Sequence, residues 1–180
     1  MRAKTDTLIR NVQIRLLSPF DAELLSSAYS LNREHLAPWE PARSEDFFTT
    51  AGQSAVIAAK LSLYAAGSEV PWVLLAEDRI IGALTLTGIV RGPFLSAHIG
   101  YWVDGGYNGR GIASAAVAFA VETAKQDLHL HRLQAATLKH NSASQKALRR
   151  AGFEEIGFAP DYLKISGRWQ DHMLYQRILY

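Results

Sequence analysis

Apolar and polar positions change their spacing several times along this chain, and each change marks an element. Val12, Ile14 and Leu16 alternate with polar neighbours, the period of a strand. Ser18-Pro19-Phe20-Asp21 then reads as a helix start. Ser18 is the N-cap, Pro19 takes the first helical position and Asp21 stands three residues after the cap. That helix is expected to run to about Ser30. Residues 32–43, NREHLAPWEPAR, contain two prolines with Trp39 between them and read as an irregular loop. Ser44-Glu45-Asp46 opens a second helix that lasts to about Ala66. Two apolar runs, 72–77 and 80–90, flank Asp78-Arg79 and predict a hairpin.

Residues 97–103 are rich in aromatic and β-branched side chains and predict a strand, which Asp104-Gly105-Gly106 ends. Gly109-Arg110-Gly111 opens a helix that is apolar from 115 to 121. A strand is expected over 132–138. Asn141 caps a short helix that stops at Gly152. Residues 154–165 and 169–179 form a last hairpin around Ser166-Gly167. The order β-α-α-β-β-β-α-β-α-β-β implies a single α/β domain over residues 1–180. Its sheet should be mixed and mostly antiparallel, of about seven strands, with helices on both faces.

Composition narrows the function classes. The chain has 180 residues, 48% of them hydrophobic, and a net charge of +2 without a basic stripe or tail, so direct DNA binding is not expected. It has no cysteine, which removes disulfides, a thiolate nucleophile and cysteine-based zinc sites. No metal is expected. Neither the N-terminal residues nor the apolar run 115–121 is long enough for a signal core or a bilayer span. The expectation is a cytoplasmic protein without a membrane partner, monomer or homodimer.

The chemistry concentrates in residues 98–114, HIGYWVDGGYNGRGIAS. A strand runs there through a glycine turn into a helix. Free N–H groups in the first helical turn favour an anion, and glycines let it approach the backbone. The same pattern also serves as a tight turn with no ligand. A nucleotide triphosphatase is disfavoured, since no Lys-Ser/Thr pair follows the turn.

Three blocks, at 32–41, 99–114 and 131–175, make the chain resemble the GNAT superfamily of acetyl-CoA-dependent N-acetyltransferases, and within it the RimJ/RimL branch. That resemblance implies acetyl-CoA as cofactor. It places the pyrophosphate loop, [Q/R]xxGx[G/A], on residues 106–111, with Tyr107 and Asn108 inside it. Gly109 and Gly111 match, while Gly106 stands where Gln or Arg is usual. Arg110, Gly111, Ile112, Ala113 and Ser114 would present N–H groups to the diphosphate. Tyr101, Trp102 and Val103 lie where the strand receives the pantetheine arm, by backbone pairing of the kind an added strand makes. The pattern NxxSxxxxxxxGF falls on Asn141, Ser144, Gly152 and Phe153. Many relatives carry a tyrosine acid at the position of Leu148. Here the resemblance gives that role to Ser144, as donor to the coenzyme sulfur, and a coenzyme contact to Asn141. As plain helix residues, Asn141 is an N-cap and Ser144 its N3 partner.

The implied reaction is direct attack of a neutral amine on a thioester. Relatives often carry Glu at the position of His98, or at that of Gly105, so both familiar carboxylate positions are vacant. His98 is the candidate base, since an imidazole changes charge near neutral pH; a packed or exposed strand histidine is the alternative. Trp39, Glu40 and Arg43 belong to the acceptor-facing loop. Tyr162, Trp169, Asp171 and His172 belong to the facing hairpin. Core packing is the other reading of Trp39 and Trp169. The implied acceptor is a protein N-terminus, on a ribosomal protein beginning with alanine. A small amine, antibiotic or polyamine is the alternative acceptor, and a weakly catalytic acyl-CoA-binding, ribosome-associated protein is the alternative class.

Overall fold

The structure is a computed structural model and describes residues 5–180, so residues 1–4 of the expected domain lie outside the described residues. Its core is one eight-stranded sheet in the order β1-β2-β3-β4-β5-β6-β8-β7. The strands are β1 (Thr5–Ile9), β2 (Val12–Leu16), β3 (Val70–Ala76), β4 (Arg79–Val90), β5 (Ser96–Val103), β6 (Arg132–Leu138), β7 (Glu154–Ile165) and β8 (Arg168–Ile178). Every neighbouring pair is antiparallel except β5–β6. The sheet is thus mixed and mostly antiparallel as expected, with β1 as one strand more. That strand carries few large apolar residues and forms by pairing with β2 at the sheet edge, a stabilisation that its own pattern does not advertise.

Helices cover both faces. On one face lie α1 (Ala22–Leu31), α2 (Arg33–Leu36) and α3 (Thr50–Ala65). On the other lie α4 (Ile112–Gln126) and α5 (Ser142–Arg150). Ser18 and Asp21 form the expected reciprocal cap, but over a 3₁₀ turn (Pro19–Asp21) that leads into α1. Asp21 also takes both Arg15 guanidinium nitrogens at 2.7 Å, which keeps its buried carboxylate satisfied. The expected second helix divides at Thr49, whose hydroxyl caps α3 after a 3₁₀ turn at Glu45–Phe48.

The two faces use different packing. Ala22, Leu25 and Ala28 of α1 and Ile57 of α3 close over Val73, Ile80 and Trp102. On the other face, α4 presents Ile112, Ala116, Val117, Ala120, Val121 and Ala124, a helical stripe. Its alanines let the helix lie close to Leu84, Leu86, Ile99 and Leu133. Burial of each such leucine or isoleucine contributes about 2 kcal/mol. No described helix is long and apolar enough to cross a membrane.

Candidate active site

The feature that makes a site is a split in the sheet. β5 pairs with β4 from Gly82↔Val103 to Val90↔Ser96, but with β6 only at Ser96↔Arg132, Ala97↔Leu133 and His98↔Gln134. Beyond His98 the two parallel strands separate. The direction of the freed backbone groups follows from its neighbours. Asp104 N–H donates to the Ile81 carbonyl on the β4 side, and the Leu95 carbonyl accepts from Arg132 on the β6 side. Alternation therefore turns the N–H and C=O groups of Ile99, Tyr101 and Val103 into the wedge. An extended, amide-bearing ligand can pair there as a strand would.

At the wide end of the wedge the chain builds an anion cradle. Asp104 caps a 3₁₀ turn at Gly105–Tyr107 by accepting from Gly106 N–H at 2.7 Å. Gly109 and Gly111 follow in the left-handed region, at φ +74° and +81°. Gly111 is the N-cap of α4 and has no side chain to cap it. The N–H groups of Ile112, Ala113 and Ser114 are consequently free for an anion, as the first turn of a helix requires. A side chain at Gly109 would meet nothing within 4 Å, so the cradle is open there. Arg110 folds back, donating to the Gly106 carbonyl at 2.9 Å and lying over the Tyr107 ring. Tyr107 is half-buried against the core, and Asn108 is exposed beside His35.

Ser144 and Tyr101 meet on the α4–α5 face. The Tyr101 hydroxyl lies 2.9 Å from Ser144 Oγ. Asn141 caps α5 by accepting from Ser144 N–H at 3.1 Å, which fixes the serine at the third helical position. Burial pushes the Tyr101 phenol up to about 12, against the opposing hydrogen bond of Ser144. Leu148 is fully buried in the core. Across the wedge, Thr137 stands on β6 at the level that continues the parallel register to Tyr101, and its buried hydroxyl has no partner among the described residues. A hydroxyl in that state suits a polar ligand lying in the wedge.

His98 lies on the opposite face. It alternates with Tyr101 and shares its side with Gly100 and Trp102. It is exposed, opposite Thr87 on β4 and Gln134 on β6. Trp102 is buried there under α1 and donates to the Tyr29 hydroxyl at 3.0 Å. The two candidate chemical groups, His98 and Ser144, therefore approach the wedge from opposite faces of the sheet.

A cavity of about 330 Å³ opens beside this second face, lined by Tyr29, Leu36, Glu40, Arg43, Phe47 and Ser166 among others. Burial raises the Glu40 carboxyl above its ordinary range, and Arg43 at 3.6 Å partly offsets that. Arg43 also lies over the Phe47 ring at 4.4 Å. Burial pushes Tyr29 up to about 12, and the charge of Glu40 adds to the effect. The loop over the cavity is not wholly irregular, since α2 forms in its first half. Trp39 is half-buried, with its ring 5.4 Å from that of His140 just before the α5 cap. At the tip of the β7–β8 hairpin, Ser166 N–H donates to the Glu40 carbonyl at 3.1 Å and its hydroxyl to the Ala37 carbonyl. Loop and hairpin thus form one continuous wall.

The hairpin residues divide. His172 is buried, with Nδ1 2.8 Å from the Gln170 carbonyl and its ring 5.5 Å from Tyr162. Its register opposite Leu138 puts it on the His98 face. Trp169 is 61% exposed and no part of the core, and Asp171 accepts from Asp161 N–H within the hairpin. By alternation both point away from the His172 side.

Comparison with known proteins decides the family. The acetyltransferase (GNAT) domain matches residues 11–154. The chain belongs to the GNAT acetyltransferases. This acetyltransferase is 35% identical to the [ribosomal protein uS5]-alanine N-acetyltransferase of Escherichia coli, over 97% of its own length and 89% of that protein. It is 33% identical to the probable N-acetyltransferase YjcK of Bacillus subtilis, over 92% of each. The ribosomal-protein-S5-alanine acetyltransferase of Vibrio fischeri superposes with a TM-score of 0.93 at 35% identity, over 97% of this chain and 96% of that one. Mycobacterium smegmatis RimJ in complex with CoA-disulfide gives 0.88 at 30% identity, over 93% and 81%. The protein is an acetyl-CoA-dependent N-acetyltransferase, RimJ-like in sequence and fold.

Three residues beside this acetyltransferase's candidate site carry no signal in the sequence pattern. Asn32 accepts from Gly105 N–H at 3.0 Å and donates to Asp104 at 3.1 Å, tying the end of α1 to the glycine turn. His35 Nε2 lies 3.3 Å from the Val103 carbonyl, and its ring fills the space that a side chain at Gly105 would enter. Tyr29 joins Trp102 to the cavity. Asn32 and His35 stand in a proline-broken segment and Tyr29 on a helix, where spacing along the chain says nothing about contacts with β5.

Proposed function

We propose that the protein transfers acetyl from acetyl-CoA to the N-terminal α-amine of a protein, and that the acceptor is a ribosomal protein beginning with alanine. The observation that carries this reading is the wall made by the 32–43 loop and the β7–β8 hairpin, which borders the cavity on the His98 side of the sheet. Likeness to the uS5-alanine N-acetyltransferase over 97% of the chain adds the acceptor class. A cavity of this size, mostly apolar with one desolvated carboxyl, suits side chains near the start of a peptide.

Acetyl-CoA is the second substrate and supplies the thioester carbonyl. The N–H groups at the start of α4 hold its diphosphate, with Gly109, Arg110 and Gly111 shaping the loop. The backbone groups of Tyr101 and Val103 that turn into the wedge pair with the pantetheine arm, and N–H groups directed into the wedge polarise the carbonyl. An N-terminal amine has a pKa of about 8, so a useful fraction is neutral at pH 7. It attacks from the His98 face, and His98 takes its proton directly or through water. The C–N bond forms, the C–S bond breaks with its electron pair on sulfur, and the thiolate departs toward Ser144. Glu40, Arg43 and Trp39 on one side, and Tyr162 and His172 on the other, orient the peptide, whereas Trp169 and Asp171, which point away from that face, take no part in it.

The test is thiol release from acetyl-CoA with peptides beginning Ala or Ser and, in parallel, with polyamines and aminoglycosides. Turnover of alanine peptides at a kcat/KM well above that of every small amine is expected. Turnover of small amines alone would replace the acceptor with a small molecule.

A further inference from the structure

The Tyr101 hydroxyl is the nearest polar neighbour that the structure gives Ser144 Oγ, at 2.9 Å, and it reaches the serine from a different element. A serine in the first turns of a helix otherwise tends to turn its hydroxyl back to the carbonyls three or four residues before it. In that state its proton is taken. Tyr101 offers the opposite arrangement. Its ring hydroxyl has one proton and two acceptors within reach, Ser144 Oγ at 2.9 Å and the Ser144 carbonyl at 3.3 Å. The carbonyl already accepts within α5, as helix geometry requires of a residue four before Leu148. Oγ is therefore the better acceptor for the phenol. Once Oγ accepts, the serine's own proton is free to point elsewhere. The direction left open is the wedge, where the unpartnered Thr137 hydroxyl stands at the level of Tyr101.

We infer that Tyr101 is a positioning residue for the acetyl transfer: by donating to Ser144 Oγ it holds the serine hydroxyl as a hydrogen-bond donor toward the departing sulfur. The inference rests on the reading of Ser144 as the donor that faces the sulfur. Nothing is transferred through Tyr101. The amine's proton goes to His98 or water, the C–S electron pair goes to sulfur, and the thiolate takes its proton from solvent. Tyr101 keeps its own proton, in keeping with the burial that holds the phenol neutral. What it adds is orientation, together with the polarisation that a chain of hydrogen bonds gives its last donor.

The experiment is a double-mutant cycle with Tyr101→Phe and Ser144→Ala on the whole protein, with kcat and KM measured at saturating peptide and the affinity for CoA by calorimetry. Phenylalanine keeps the ring in place, and thermal melts of each variant separate folding from chemistry. The expected result is that each single variant lowers kcat by about fivefold to tenfold, the worth of one oriented hydrogen bond. CoA affinity and KM for acetyl-CoA should stay unchanged, and the double variant should be no slower than Ser144→Ala. A normal kcat for Tyr101→Phe with a slow Ser144→Ala overturns the inference and leaves Ser144 as donor. So do losses that multiply in the double variant, or an effect of Tyr101→Phe on KM and CoA affinity alone. A normal kcat for Ser144→Ala removes Ser144 from the reaction, and the inference with it.

Discussion

His98 and Ser144 come from different elements, β5 and α5, and lie on opposite faces of the sheet. Alternation along β5 was enough to put His98 with Gly100 and Trp102, and the structure keeps that grouping. The opposition of the two residues was not legible, because Ser144 comes from α5 and its side of the sheet depends on the crossover. His98→Ala should lower kcat/KM by about a hundredfold, the lower end of what a positioned general base contributes. Rate measurements with an alanine peptide decide it, and an unchanged kcat/KM would assign the base to another group or to water. Trp39 and Trp169 show the limit of residue-level reading. Both are tryptophans near a turn, yet one lies against the His140 ring and the other, on β8, is 61% exposed.

The glycine turn and the α4 N-terminus act as one element. Asp104, Gly109 and Gly111 were readable as a strand stop and helix opening, and each occupies that place. Two of the three hold backbone that other residues resist. Gly109→Ala and Gly111→Ala should each cost roughly 1 kcal/mol of stability, since an added Cβ strains the left-handed region. Neither added carbon would clash, as the Gly109 position is open and the nearest atom to the Gly111 position is Ile9 Cδ1 at 3.8 Å. The backbone alone is responsible, so both variants should raise KM for acetyl-CoA more than they lower kcat. Thermal melts and calorimetry with CoA check the two parts; unchanged CoA affinity in both variants would remove the turn from the diphosphate site. The β7–β8 hairpin is likewise legible as a hairpin from Ser166-Gly167. Its grip on Ala37 and Glu40 is not, because those contacts span more than a hundred residues of chain.

At the scale of the molecule, two tyrosines tie the faces of the sheet to high-pH behaviour. Tyr29 on one face and Tyr101 on the other are held neutral by burial, each up to about 12. The unfolded chain releases these protons near pH 10. The folded chain then binds more protons than the unfolded one, so stability is complete below about pH 10 and falls as pH rises toward 12. The loss is on the order of 3 kcal/mol for each tyrosine. Urea unfolding at several pH values, read with phenolate absorbance, should show a falling midpoint and a subset of the seven tyrosines that ionise only on unfolding. A midpoint constant from pH 9 to 12 contradicts this assignment.

By itself the sequence determined the elements with strong local signals: the Ser18–Asp21 cap, the 97–103 strand, the glycine turn, the Asn141 cap and the last hairpin. Each rests on interactions within a few residues, and the residues that make them are adjacent in the chain. The motifs on those elements also carried the family. Only the tertiary structure decided where β5 and β6 part, since a split between parallel strands depends on what each pairs with and not on its own pattern. It decided the pairing of Tyr101 with Ser144, the contact of His35 with Val103 and the joining of loop and hairpin into one wall. These contacts join distant segments, and their geometry follows from sheet order and helix packing, which no spacing along the chain records.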